Sequence, residues 1–212
     1  MRSLLVAALL CSLAPVFGQD EPLLRNGSFE EVRDGAPVGW SVMGGRLDGT
    51  AVEVIEGGRS GERCMRLTDH IADPGGAAQA GVRQYGTVEG GRAYQFTVWV
   101  RNIEQAGPKS VSIQLRFIPS NQTTVAKIAP PADDRWRQYS VAGIAPDGSE
   151  QCQAYVYSET RATSVTLVDD VELVEVDAEA LGSRFPCRVW GYEGLTEPRE
   201  LSLRTPIVAG EE

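Results

Sequence analysis

The sequence predicts an all-β sandwich, and three observations carry that prediction. Between Gln19 and Val176 apolar and polar residues alternate in short runs, the period of a strand with one buried face. Turn-rich clusters separate the runs, among them Arg33-Asp34-Gly35-Ala36-Pro37, Glu56-Gly57-Gly58, Asp73-Pro74-Gly75-Gly76, Glu89-Gly90-Gly91 and Pro146-Asp147-Gly148. No helical period is sustained and no fixed-length repeat recurs, which argues for packed sheets over a bundle, solenoid or propeller.

The first segment reads as a targeting signal. Arg2 is followed by an apolar run from Leu4 to Leu13 and then by Val16-Phe17-Gly18, which offers small residues at the −3 and −1 positions of a cleavage site. The run is about ten residues, short of the roughly 20 that span a bilayer. Residues 1–18 are therefore expected to be a signal peptide cleaved after Gly18, which places the mature protein in a secreted, extracytoplasmic location. Cys11 does not suit lipoprotein processing, because Leu10 before it is too large. No later stretch is long and apolar enough for a transmembrane helix, so no membrane insertion is expected.

The chain has 20 basic and 29 acidic residues, and Arg2 alone of these lies in the signal, leaving 19 against 29, a balance of −10. That excess, with no basic cluster interleaved with aromatics, argues against polyanion ligands such as nucleic acid. Cleavage leaves Cys64, Cys152 and Cys187. A secreted protein permits a disulfide, but with this odd count one thiol is left over or all three are free, and the sequence does not choose.

Candidate strands follow in order at Val52–Ile55, Arg63–Leu67, Gln79–Tyr85, Tyr94–Arg101, Val111–Phe117, Val125–Ile128, Gln138–Ile144, Gln153–Tyr157 and Val165–Val174. Residues 19–176 are read as one sandwich domain. From 177 to 212 the alternation is lost and Pro186, Pro198 and Pro206 intervene; this is read as a short irregular C-terminal extension, anchored by Phe185, Val189 and Trp190.

Two stretches near the ends of the domain invite a chemical reading. In Asn26-Gly27-Ser28-Phe29-Glu30 a turn pair precedes a core-type Phe and a carboxylate; in Leu167-Val168-Asp169-Asp170-Val171 two carboxylates sit within strand alternation. A carboxylate beside a buried Phe needs a positive partner. A hard cation held by oxygen ligands would serve, so Glu30 and Asp169 are candidates to meet at a metal joining the first strand to the last. The competing reading is that these acids are solvated edge residues.

Several motifs together resemble carbohydrate-binding modules of families four and nine. Asn26-Gly27-Ser28-Phe29-Glu30 with Pro37-Val38-Gly39-Trp40 is similar to their opening. Gly61-Glu62-Arg63-Cys64-Met65-Arg66-Leu67, then Tyr94-Gln95-Phe96-Thr97-Val98-Trp99-Val100-Arg101, then Trp136-Arg137-Gln138-Tyr139 and finally Val168-Asp169-Asp170-Val171 follow in the family's order. The resemblance covers about residues 22–176. It implies a galactose-binding-like jelly roll and a structural calcium held by the Ser28 carbonyl, Glu30, Asp169 and a carbonyl near Arg59 or Ser60. It also implies framework positions for Trp40 and Trp136.

Alternation assigns faces within each strand. Tyr94, Phe96, Val98 and Val100 form the apolar set of one strand, opposite Gln95, Thr97, Trp99 and Arg101; Val111, Ile113, Leu115 and Phe117 oppose Ser112, Gln114 and Arg116; Ala154 and Val156 oppose Gln153, Tyr155 and Tyr157. A flat ring beside amide and guanidinium donors suits a pyranose, whose C–H face packs on the ring while its hydroxyls take the donors. Trp99, Arg101, Gln114, Arg116, Tyr155 and Tyr157 are the candidate carbohydrate-binding residues, provided their strands share a sheet. Simple coverage of a sheet surface by aromatics is the alternative.

Catalysis is disfavoured. His70 is the only histidine, and one lone imidazole makes no metal triad and no obvious Ser-His-Asp set. Nucleophile-elbow, zincin and phosphate-loop motifs are absent. Asp133-Asp134 and Asp169-Asp170 are adjacent pairs whose members are expected to point to opposite faces, unlike the facing carboxylates of a glycosidase. Asn26 and Asn121 head sequons, of which Asn121 is placed in a loop. The reading is thus a secreted, non-catalytic module that adsorbs to a poly- or oligosaccharide. The alternative is an extracellular structural or protein-interaction sandwich with no sugar site.

Overall fold

The computed structural model describes residues 22–44, 49–71, 80–106, 111–159 and 163–178. The expected signal peptide, Cys187 and nearly all of the C-terminal extension lie outside the described residues. The strands are β1 (Val32–Arg33), β2 (Ala36–Pro37), β3 (Ser41–Met43), β4 (Thr50–Glu56), β5 (Arg63–Asp69), β6 (Gly81–Thr87), β7 (Ala93–Ala106), β8 (Val111–Ile118), β9 (Thr123–Ile128), β10 (Trp136–Ile144), β11 (Gln151–Ser158) and β12 (Thr163–Val176).

They form a jelly-roll β-sandwich. The first sheet runs β10-β7-β12-β5-β4, the second β3-β6-β11-β8-β9, and β1 pairs with β2 in a small hairpin. All pairings are antiparallel. From β5 onward the chain passes from one sheet to the other at nearly every connection, only β8 and β9 being consecutive neighbours. Every candidate strand is found, mostly lengthened. The strands not foreseen are β1, β2 and β3, at two or three residues too short to show a period, the first two sitting inside a stretch read as a turn.

The inward rows are those the alternation assigns. Tyr94, Phe96, Val98 and Val100 of β7 meet Val111, Ile113, Leu115 and Phe117 of β8 and Ala154 and Val156 of β11 in one core. Tyr94 and Phe117 pack with ring centroids 6.5 Å apart. Phe29 and Trp40 close one side of this core, their rings 5.4 Å apart. Trp136 departs from the expected framework role: it lies on the outer side of β10, half-buried, with the Arg101 guanidinium 6.0 Å from its ring.

β12 carries a bulge between Asp169 and Glu172, where Asp170 takes φ 44°. The bulge overturns the expectation that Asp169 and Asp170 face opposite ways. Both carboxylates accept hydrogen bonds from the 59–60 loop. An extra residue in one strand rotates the side chain that follows, so the simple alternation fails there.

Candidate functional site

The six expected sugar residues do not form one groove. Trp99 and Arg101 lie on β7 in the first sheet, whereas Gln114 and Arg116 on β8 and Tyr155 and Tyr157 on β11 lie in the second. Each set points away from the core, so the two occupy opposite faces of the sandwich.

The first-sheet pair is engaged in structure. The Arg59 guanidinium lies 3.4 Å above the centre of the Trp99 ring and covers that side of it. Arg101 is bound to Asp134 at 2.6 Å. Trp99 also lines a cleft of about 560 Å³ shared with Ser28, Glu30, Glu31, Asp170 and Glu172. The walls of that cleft are rich in carboxylate, a poor setting for stacking a sugar on an already covered ring.

The same region holds the expected metal residues, and it is a clasp between the first segment and the last strand. Asn26, at φ 51°, accepts from the Glu31 N–H at 3.0 Å and donates to the Glu31 and Val38 carbonyls at 2.8 and 3.0 Å, closing the turn. The Trp40 indole N–H donates to the Arg25 and Asn26 carbonyls. The Gly27 carbonyl accepts from the Val171 N–H of β12 at 2.9 Å. A Cβ on Gly27 would lie 2.0 Å from the Val171 carbonyl oxygen, so the close approach requires glycine.

Glu30 and Asp169 both bind the loop before β5. Glu30 Oε1 accepts from the N–H groups of Glu62 and Arg63 at 3.0 and 2.9 Å. Asp169 is fully buried, and its Oδ2 accepts from the N–H groups of Arg59 and Ser60 at 2.6 and 3.2 Å. Arg59 pairs with Asp170 at 3.0 Å, and the Arg63 guanidinium donates to the Glu30 carbonyl at 2.7 Å. Burial pushes the Asp169 carboxyl up to about 6, opposed by its amide hydrogen bonds and reinforced by the Asp170 charge.

These contacts do not fit a calcium ligand set. Ser28, Glu30 and Asp169 belong to one corner, but the groups that face the two carboxylates are amide N–H donors, where calcium requires oxygens. Among the described residues no three His, Cys, Asp or Glu side chains converge as metal ligands. The partners the two carboxylates find are the backbone amides of Arg59, Ser60, Glu62 and Arg63.

The outer face of the second sheet is the better candidate. Strand register lays it out in rows, three of which hold the candidate residues. One row runs Ser41, Arg83, Tyr155, Gln114, Val125; beside it lies Tyr85, Gln153, Arg116, Thr123; on the other side lies Met43, Gly81, Tyr157, Ser112, Lys127. Gln114, Arg116, Tyr155 and Tyr157 are therefore brought together as expected of neighbours on one sheet. Gly81 makes room for the tyrosine beside it, since a Cβ there would sit 2.5 Å from Tyr157 Cβ.

Polar groups on this face are fixed to one another. The Tyr157 hydroxyl donates to Gln114 Oε1 at 3.0 Å, the Tyr155 hydroxyl donates to Gln153, and the two rings meet edge-on at 6.5 Å. Arg116 donates through two nitrogens to Asn121 Oδ1, at 3.1 and 2.6 Å. At one end Glu159, almost fully buried, accepts from the Ser112 hydroxyl and pairs with Lys127 at 2.8 Å. That hydrogen bond is the main reason the Lys127 pKa is raised.

Tyr155 does not offer a stacking ring, being only 8% exposed between its Arg83 and Gln114 neighbours. The open ring is Tyr85, 50% exposed and unassigned in the sequence reading. Arg83 and Tyr85 were also missed. The signal was present, since both alternate with inward Val82 and Gln84, but a polar Gln84 in the inward row hides the period. Gln84 is placed there by hydrogen bonds with the Arg25 N–H and carbonyl at 2.6 and 2.9 Å.

His70 is exposed, its Nε2 3.8 Å from Glu104. Cys64 and Cys152 are both free, buried thiols, which leaves them unpaired with each other. Burial pushes them up to about 11 and about 12.

No protein-family model and no curated protein matches the sequence. Solved structures do. The enzymatically active domain of bacteriophage CBA120 tailspike protein 4 matches 73% of this chain, which spans only 21% of that one, at 14% identity and a TM-score of 0.55. A family 16 carbohydrate-binding module matches 72% of this chain and 99% of its own at 18% identity and a TM-score of 0.52. The CBM22-1 xylan-binding domain of Paenibacillus barcinonensis Xyn10C matches 72% and 93% at 19% identity and a TM-score of 0.50. At these identities the likeness is one of fold, and the chain is a jelly-roll β-sandwich of the kind that carbohydrate-binding modules adopt.

Proposed function

We propose that this protein is a secreted, non-catalytic module that binds a poly- or oligosaccharide on the outer face of its second sheet. The observation that carries the reading is the three-row lattice around Tyr85, Arg83, Gln114, Arg116 and Tyr157. An exposed ring there stands beside planar donors held in place by their own hydrogen bonds. The C–H face of a sugar would pack on Tyr85, and its hydroxyls would take the amide and guanidinium groups. Tyr155 and Gln153 form the floor. Trp99 is covered by Arg59 of the clasp, Arg101 is bound to Asp134, and neither takes part. A solved domain of this fold is described as xylan-binding, which makes an oligosaccharide a ligand the fold can accept.

The test is affinity electrophoresis of the mature protein against a panel of neutral and acidic polysaccharides, followed by calorimetry on any that retard it. Tyr85→Ala, at an exposed position, should leave the circular dichroism unchanged. It should weaken binding about tenfold, the equivalent of about 1.4 kcal/mol. Tyr157→Ala should weaken it further. A blank panel, or a Tyr85→Ala variant that binds as tightly as the wild type, would sink the proposal in favour of a protein-interaction sandwich.

A further inference from the structure

We propose that the sugar recognised on this face is acidic: a polysaccharide of uronate units whose carboxylates are read by Arg83 and Arg116. The inference rests on the carbohydrate reading above and names the ligand's chemical class.

The charge distribution carries it. The chain has a formal charge of −9, yet β3, β6, β8, β9 and β11 contain no Asp or Glu. Their charged residues are Arg83, Arg116 and Lys127, and register puts all three on the outer face. The first sheet is unlike this: β12 alone holds Asp169, Asp170, Glu172 and Glu175. Of the three cations, Lys127 is neutralised by Glu159. Among the described residues, neither arginine has a carboxylate partner. Arg116 is oriented by the neutral Asn121 carbonyl oxygen, which leaves its charge uncompensated. Arg83 has a buried Nε with no hydrogen-bond partner, so among the described residues its charge too is uncompensated.

Geometry fits one oligosaccharide engaging both. Arg83 and Arg116 stand two strands apart and one pleat repeat along, about 10 Å across the strands and about 7 Å along them. Carboxylates on different sugar units of one chain can reach both. A guanidinium suits them because its planar fork accepts a carboxylate through two parallel hydrogen bonds. A strongly acidic protein repels polyanions in general. Two arginines without a carboxylate partner among the described residues, on strands that contain no Asp or Glu, confine the attraction to that face.

Calorimetry with polygalacturonate and with the same polymer fully methyl-esterified separates charge from sugar shape. The wild type should bind the acid form at least tenfold more tightly, with affinity falling as salt rises. Arg83→Gln and Arg116→Gln should each remove most of that preference, lowering the affinity for the acid form far more than that for the esterified polymer. Arg116→Gln alters a half-exposed position and guards against misfolding of the Arg83 variant. Equal affinity for the two polymers, or for neutral glycans alone, would overturn the acidic assignment and leave carbohydrate binding standing. Dextran sulfate binding as tightly as polygalacturonate would overturn carboxylate recognition in favour of bare charge. A preference that survives both Arg variants would overturn the assignment to this face. Silence towards every polysaccharide, acidic and neutral, would defeat the carbohydrate reading itself.

Discussion

Asp169 shows what one buried acid costs and supports. It is fully buried, and amides of Arg59, Ser60 and Asp170 surround its carboxylate. The amides favour the ion, but burial outweighs them and raises the pKa from 3.8 to about 6. The native state therefore keeps a proton that the unfolded chain has already lost between about pH 4 and 6. The contribution to stability is fully present below pH 3.8 and is lost as pH rises through about 6. Over that window it amounts to up to about 3 kcal/mol. Asp169→Asn cannot titrate, so the stability of the wild type relative to this variant should fall by that order between pH 4 and 6.5. Urea unfolding at stepped pH measures it. A difference that rises with pH would mean that the amide hydrogen bonds dominate burial.

The clasp works through elements, since it joins a turn, a loop and the bulged β12. Its tightest point is Gly27, where a methyl group would meet backbone, the Val171 carbonyl at 2.0 Å, and not a side chain that could swing away. Gly27→Ala should thus cost about 1–3 kcal/mol, lowering the thermal midpoint by roughly 3–10 °C. Gly35→Ala is the control: at φ 78° it has nothing within 4 Å of an added Cβ, so only backbone strain of about 1 kcal/mol remains. Equal midpoints for the two variants would show that the turn yields without cost. Elements are also where the sequence was most and least readable. Alternation revealed nine strands and the inward rows of β7, β8 and β11, because burial imposes a period of two on the residues themselves. It could not show which strands adjoin. Trp99 and Tyr155 look equivalent along the chain, and only the crossing of β7 and β11 into different sheets separates them. The bulge at Asp170 was hidden for a related reason, since two adjacent acids in a run of valines keep the look of a regular strand.

At the scale of the whole molecule, the two sheets carry different duties. The first holds the carboxylates and the clasp; the strands of the second contain no Asp or Glu. The family resemblance led to a calcium at the junction of first segment and last strand, and in the structure the Glu30 and Asp169 carboxylates face backbone amides there. Removing divalent cations should then leave the sandwich intact. The thermal midpoint in excess chelator and in millimolar calcium should agree to within about 1 °C. A cation bound only by the native state at 100 times its dissociation constant would instead add about 2.7 kcal/mol, or roughly 5–11 °C for a chain of this size. Such a rise, if abolished by Glu30→Gln, would mean that the carboxylates exchange their amide partners for an ion. The 59–63 loop would then have to turn carbonyl oxygens towards Glu30 and Asp169, so the same experiment decides the loop's backbone orientation. The proposed sugar binding should not depend on that outcome, because the Asp169–Asp170 clasp and Tyr85 belong to different sheets. A chelator that unfolded the protein would remove binding as well, whereas one that left the midpoint unchanged should leave polysaccharide affinity unchanged too.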